Sequence, residues 1–223
     1  MIRIVLATRN RHKVRELKRL LAVRGIRWQS LEQFPGVRPA RETAATFDGN
    51  AIKKAAAVAR QTGRLALADD SGLEVDSLGG APGVRSARFA GPRGDDRANN
   101  EQLLRRLGGV PARRRGARYR CSLALADPSG AVVLTRGTWR GRIGTVPAGR
   151  QGFGYDPLFI VPGFGRTVGQ LSPAVKGRLS HRAAAARRMR RVLERLLGGA
   201  ARARPAAASR AKERAVASAA PGG

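Results

Sequence analysis

The segment Leu65-Ala66-Leu67-Ala68-Asp69-Asp70-Ser71-Gly72 constrains this chain more than any other. Its small and branched apolar residues read as a short buried strand, and two adjacent carboxylates and a hydroxyl follow at once. Side chains alternate across a strand, so Asp69 and Asp70 are expected on opposite sides. One then faces a cleft while the other braces the backbone. The Ser71-Gly72 pair predicts a turn, with Leu73 to Leu78 resuming as a strand. A carboxylate at a strand end can hold a divalent cation or take a proton from water. The same residues also fit an Asx-type turn joining two strands.

Composition narrows the setting. The 223 residues suffice for one substantial domain or two lobes around a shared cleft, and a 42% hydrophobic share supports a core with few aromatics. The formal charge of +29 comes almost wholly from arginine. It suits anionic partners (nucleic acid, nucleotides or acidic surfaces), or reflects Arg and Ala filling exposed helix positions. Cys121 stands alone, which rules out an intramolecular disulfide and fits a reducing compartment. Met1 to Thr8 lacks the length and flanks of a signal peptide, and no apolar run nears the ~20 residues that span a bilayer. The expectation is a soluble cytoplasmic protein.

Ile2 to Ala7 reads as a buried strand leading into Thr8-Arg9-Asn10-Arg11-His12-Lys13, then a helix with Val14, Leu17, Leu20 and Leu21 on one face. A helix start after a strand presents unpaired N–H groups, a natural anion site. Thr8 and Asn10 add hydrogen bonds there and Lys13 a point charge for a phosphate. An ordinary basic helix start fits equally, and the glycines and Lys-Ser/Thr ending of a Walker A loop are absent. Ile26 to Ser30 predicts a second strand. A loop carrying Glu42 follows, then a helix capped by Thr46 or Asp48, lined by Ile52, Ala55, Ala56 and Ala59 and closed by Gly63.

The glycine-rich Gly79 to Gly91 is expected to lack a helix and to let a ligand or another chain approach closely. Asp95 or Asp96 caps a helix burying Leu103, Leu104 and Leu107, and Pro111 to Gly116 reads as a solvated turn. Tyr119 to Leu125 and Ala131 to Thr138 form a hairpin, expected in a second lobe. In Gly152-Phe153-Gly154-Tyr155-Asp156, two glycines around a phenylalanine suggest either a stacking platform for a flat ligand or an aromatic plug in a tight turn. Ser180 caps the last helix, whose Met189, Val192, Leu193, Leu196 and Leu197 share a face. His181 and Arg182 occupy its first turn, where positive charge is unfavourable. From Gly198 to Gly223 the chain loses apolar periodicity and is expected to be a disordered tail.

Four blocks in order resemble the inosine/xanthosine triphosphate pyrophosphatase family. They are Leu6 to Asn10 with Lys13 to Leu17; Thr46-Phe47 with Asn50-Ala51 and Lys54-Ala55; Ala68 to Leu73 with Gly79 to Arg88; and Gly152 to Pro157 with Ser180 to Arg182. The resemblance covers about residues 1–197. It implies an elongated α/β protein with a mixed central sheet flanked by helices and two lobes enclosing the active-site cleft. It also implies a homodimer and Mg²⁺-dependent hydrolysis of ITP, dITP and XTP to the monophosphate and pyrophosphate.

Carried over by position, Thr8, Arg9, Asn10, Arg11, His12 and Lys13 hold phosphates. Glu42 and Asp70 ligate the metal, Asp70 accepts the water's proton, and Ser71 touches substrate. Phe153, Gly154, Tyr155 and Asp156 form the base pocket, and Lys176, His181 and Arg182 reach the base. This chain departs from the family pattern at Gly49, where a Glu is usual: either Asp48 supplies that negative charge or the metal's outer shell is weaker. Arg9 and His12 stand where glycines are frequent, and Val175 replaces an acidic residue. A Maf-like pyrophosphatase for other modified nucleotides and a basic nucleic-acid-binding protein with no specific site are the alternatives.

Overall fold

The computed structural model describes the backbone of residues 1–38, 40–92 and 94–218, with side chains described as far as Gly199. Six strands form one sheet in the order β2-β1-β3-β4-β5-β6. They are β1 (Ile2–Leu6), β2 (Ile26–Ser30), β3 (Leu65–Val75), β4 (Gly116–Ala126), β5 (Val132–Ile143) and β6 (Phe159–Ile160). β1 pairs in parallel with β2 and β3, and the three remaining pairings are antiparallel. The sheet is therefore mixed, with a parallel half that needs helical crossovers and a hairpin half that does not.

Five α-helices accompany it: α1 (Arg11–Leu20), α2 (Phe47–Thr62), α3 (Asp96–Arg106), α4 (Pro173–Leu179) and α5 (His181–Ser218). Side-chain caps fix their starts. Asn10 accepts from the Lys13 N–H, Thr46 from Gly49, Asp95 from Ala98 and Ser172 from Val175. These resolve both open alternatives, in favour of Thr46 and Asp95. Gly63 ends α2 in the left-handed region at φ +62°, where a Cβ would be strained.

Three apolar clusters organise the layers. On one face of the sheet Leu6, Leu67 and Leu123 pack with Leu17 of α1 and Met189 and Leu193 of α5. On the other, Val5, Ala66, Ala68 and Ala124 meet Ala51, Ala55 and Ala59 of α2, small residues that allow close approach. A third cluster gathers Leu73, Val75, Tyr119, Trp139 and Phe159 with Leu103 and Leu107 of α3. β3 crosses from the first to the third. One face of it reads Leu65, Leu67, Asp69, Ser71, Leu73, Val75, so the polar pair falls in the gap between two cores. That gap is the floor of the cleft.

Several expectations change. No turn occurs at Ser71-Gly72. β3 runs straight through, paired residue by residue with β4 from Ala66 opposite Ala126 to Val75 opposite Ala117. Gly72 serves close packing instead, because a Cβ there would overlap Ser86 Oγ and lie 2.7 Å from the Gly83 carbonyl. The strand expected to Leu78 ends at Val75, followed by a 3-10 turn. Gly83–Arg88 also forms a 3-10 helix. In the β4–β5 hairpin, β4 runs between two clusters, supplying Leu123 to one and Tyr119 to the other.

Arg115, expected in a solvated turn, is buried and donates to the carbonyls of Leu107, Val110 and Gly144. The backbone of α5 is helical to Ser218, whereas the sequence reading expects no regular structure beyond Gly198. Alanine and arginine are strong helix formers without any apolar stripe. The last five residues of that expected tail lie outside the described ones.

Candidate active site

β3 places its two carboxylates on opposite faces, as alternation requires, and their surroundings differ. Asp69 is 1% exposed. It accepts from Lys13 Nζ at 2.6 Å, Ser71 Oγ at 2.8 Å, Arg182 Nε at 2.8 Å and Cys121 Sγ at 3.4 Å. Burial alone would raise its pKa, but the charges of Arg182 and Lys13 hold it well below the usual carboxylate range. Arg182 continues the network to Glu16 at 2.5 Å and Ser71 Oγ at 2.8 Å. Lys176 then bridges Glu16 at 2.9 Å and Asp156 at 2.7 Å. The first turn of α5 tolerates Arg182 because three acceptors surround it, which answers the local cost read from sequence.

Asp70 faces α2. Lys54 Nζ donates to Asp70 Oδ1 at 2.7 Å, to Glu42 Oε1 at 3.1 Å and to the Asp69 carbonyl at 2.8 Å. Arg88 holds the other Glu42 oxygen at 2.9 Å. Asp70 Oδ2 is buried with no partner among the described residues. Burial raises the Asp70 pKa and Lys54 opposes that rise, leaving a carboxylate more basic than an exposed one. An orphaned oxygen beside a second carboxylate fits a hard, oxygen-seeking cation such as Mg²⁺. No cluster of three or more acidic, His or Cys residues exists among the described residues. The remaining ligands would come from substrate and water, the usual pattern for that ion.

A cavity of about 110 Å³ lies between these elements, lined by Asn10 and Lys13 on one side, Ser71 and Ser86 below, and Phe153 to Asp156, Lys176, His181 and Arg182 on the other. Lys176 Nζ sits 4.4 Å from the Phe153 ring centroid. Asp156 accepts from the Phe153 N–H at 2.9 Å and from Tyr119 OH at 3.2 Å. His181 stacks on Tyr119 at 4.7 Å, and its Nδ1 is buried without a partner among the described residues. Burial, reinforced by Arg182 and Lys176, pushes its pKa well below the ordinary histidine value, so it is a neutral imidazole.

The run Thr8–Lys13 divides. Asn10 and Lys13 reach this cavity, whereas Thr8, Arg9 and Arg11 line a neighbouring groove with Ser30 to Glu32. Thr8 Oγ1 accepts from the Asn10 N–H, Arg9 donates to the Val37 carbonyl and Arg11 lies 4.0 Å from Glu32. His12 stacks on Phe153 at 5.1 Å.

Asp48 does not substitute for an acid at position 49. It accepts from Ser122 and Arg136 on the hairpin, while a Cβ at Gly49 would meet Ala44 at 2.7 Å. Residues that sequence reading missed are Lys54, Glu16, Arg88 and Tyr119. Lys54, Glu16 and Arg88 all lie within the resembling blocks, which was their signal; Tyr119 carried none beyond its place in a strand.

The fold and site define a mixed-sheet α/β protein with a cation-rich cleft, a buried carboxylate and an aromatic pocket. A sequence model of the Ham1 family matches residues 4–192, and the chain belongs to that family. It is 50% identical over 195 residues to a dITP/XTP pyrophosphatase of Desulforamulus reducens, covering 87% of this chain and 97% of that protein. It is 46% identical over 202 residues to a dITP/XTP pyrophosphatase of Geobacillus kaustophilus, covering 91% and 99%. Among solved structures, a HAM1 protein from Coxiella burnetii matches with a TM-score of 0.81 at 40% identity, over 87% of this chain and 100% of that one.

Proposed function

We propose that the chain hydrolyses non-standard purine nucleoside triphosphates (ITP, dITP and XTP) to the monophosphate and pyrophosphate. The observation that carries this is the cleft itself. It joins the Lys13 charge, Ser71 and an aromatic pocket, with Asp70 and Glu42 bridged by Lys54 on the other face of β3, in a chain half identical to relatives named for that activity.

Lys13 turns from Asp69 toward an incoming phosphate without leaving its position on α1. Lys54, Lys13 and Arg88 neutralise charge along the phosphates, the main requirement of phosphoryl-anhydride cleavage. Asp70 takes the proton of the attacking water. Asp70 and Glu42 would hold Mg²⁺, which when bound would neutralise charge at the phosphate oxygens.

At the far end Phe153 stacks on the base while His181, Lys176 and Arg182 face its edge. A 6-oxo group accepts from such donors. An adenine amino group would meet them donor to donor, a repulsive means of rejection. The reading includes a homodimer acting in the cytoplasm. Its support there is the family resemblance; among the described residues no helix is long and apolar enough to cross a membrane.

The test is pyrophosphate release from ITP, XTP, GTP and ATP with Mg²⁺ and with EDTA. Metal-dependent release from ITP and XTP, with little from GTP and ATP, supports both chemistry and pocket. Equal release from all four refutes the selectivity, and none from any refutes the function.

A further inference from the structure

The purine pocket has two walls that no strand connects. One is the loop Gly152–Asp156, which carries Phe153; the other is the 3-10 segment Gly83–Arg88, which contributes Ser86 and Ala87. Gly154 sits at φ +65° in the left-handed region, and two glycines flank Phe153. Such a loop has little intrinsic stiffness, yet a stacking platform must hold its ring in place to be selective.

The stiffness comes from the start of α3. Asp96 Oδ2 accepts from the Gly154 N–H at 2.6 Å, and Asn100 Nδ2 donates to the Gly154 carbonyl at 2.9 Å. These two contacts fix the peptide planes on both sides of Gly154, next to Phe153. One turn of the same helix grips the opposite wall. Asn99, 2% exposed, accepts from the Ala90 N–H at 2.8 Å and donates to the Ala87 carbonyl at 3.2 Å. Asn100 is itself held through the Asp96 carbonyl at 2.8 Å, and Asp95 caps the helix that presents all three. The acidic side chain of Asp96 is also favoured by the helix dipole at that position.

We propose that the first two turns of α3 are a bracket that sets the spacing between the two walls of the base pocket. Asp96 and Asn100 are positioning residues for Phe153, and through it they govern discrimination among purines. This deepens the function proposed above and rests on it. Lys13, Lys54 and Asp70 lie on α1, α2 and β3, which Asp96 and Asn100 do not contact; Arg88 belongs to the wall held by Asn99, which the variants below leave in place. Loosening it therefore weakens base recognition while leaving the chemical step nearly intact.

The experiment is steady-state kinetics of Asp96→Ala, Asp96→Asn and Asn100→Ala on ITP and GTP, with thermal melts of each. Asp96→Ala removes the acceptor of the Gly154 N–H and raises KM for ITP about tenfold, the size of one lost charge-assisted hydrogen bond. Its kcat stays within about twofold and its ITP-to-GTP preference falls. Asp96→Asn keeps an oxygen acceptor and recovers most of the loss. Asn100→Ala gives a smaller effect of the same kind, and carries the test if Asp96→Ala does not fold.

A purely structural helix cap would lower the melting temperature and leave KM and preference unmoved, which overturns the proposal. Equal impairment of Asp96→Ala and Asp96→Asn also overturns it. A wild-type enzyme that fails to hydrolyse ITP breaks the functional reading instead.

Discussion

On one face of β3 Asp69 is held by four side chains, Lys13, Ser71, Cys121 and Arg182; on the other Asp70 has Lys54 and keeps one buried oxygen free. The two residues are adjacent and chemically identical, but their pKa values move apart. Asp69 is stabilised as an anion and fully spent on partners. Asp70 is buried with less compensation, so it retains basicity and a ligand position. Pairs of titratable groups pushed apart in this way are how a site divides structural from chemical duties. Asp69 ties the phosphate end to the base end, through Lys13 and Arg182, and Asp70 acts between them.

That division can be broken from either side. Asp69→Ala removes the carboxylate partner of half-buried Lys13 and one of the three acceptors of buried Arg182, and is expected to destabilise by ~3–5 kcal/mol, as for other broken buried pairs. A thermal or denaturant melt measures it, and an unchanged melting temperature would remove the hub from the account. Asp70→Asn is expected to lower kcat on ITP by about 10³-fold, the range for a lost general base, without destabilising the metal-free protein.

A smaller effect sharpens the acidic side. Glu16 is partly desolvated, which raises its pKa, but Arg182 and Lys176 lower it below 4.5 overall. A depressed folded pKa means stability present above the unfolded value and lost as pH falls through the folded one. The deficit of Glu16→Gln should therefore be full at pH 7 and shrink below about 4.5, in melts taken across that range. The smallest change comes from His12→Ala. Removing the ring stacked on Phe153 should raise KM for ITP about threefold, with His12→Phe restoring it. A KM that ignores both variants would make His12 a bystander.

Much of this was legible in residue order. Alternation along β3 is local geometry, so the opposed Asp69 and Asp70 follow from five residues of sequence. Thr46, Asp95 and Gly63 signal helix ends through their own side chains or their lack of one. The resemblance drew together Lys13, Asp70, Phe153 and Arg182 from distant segments.

What escaped was set by tertiary pairing. Ser71-Gly72 has the composition of a turn, but β4, some fifty positions later, zips it into a strand. Lys54 is one cation among 44, and only the packing of α2 on β3 brings it to Asp70. Arg115 looked solvated because nothing in its neighbourhood announces the three carbonyls it caps. Asp48 lies next to Gly49 in sequence, but the first turn of α2 directs it toward Arg136. The bracket at the start of α3 was invisible for the same reason: its partners are backbone groups of remote loops.

The most direct test is pyrophosphate release from ITP with Mg²⁺ by wild type and Asp70→Asn, on samples whose melts match. The account predicts rapid, metal-dependent release by the wild type and a loss of about 10³-fold in the folded variant. A folded Asp70→Asn enzyme that turns over like the wild type would place the water's proton elsewhere and contradict the division of labour on β3.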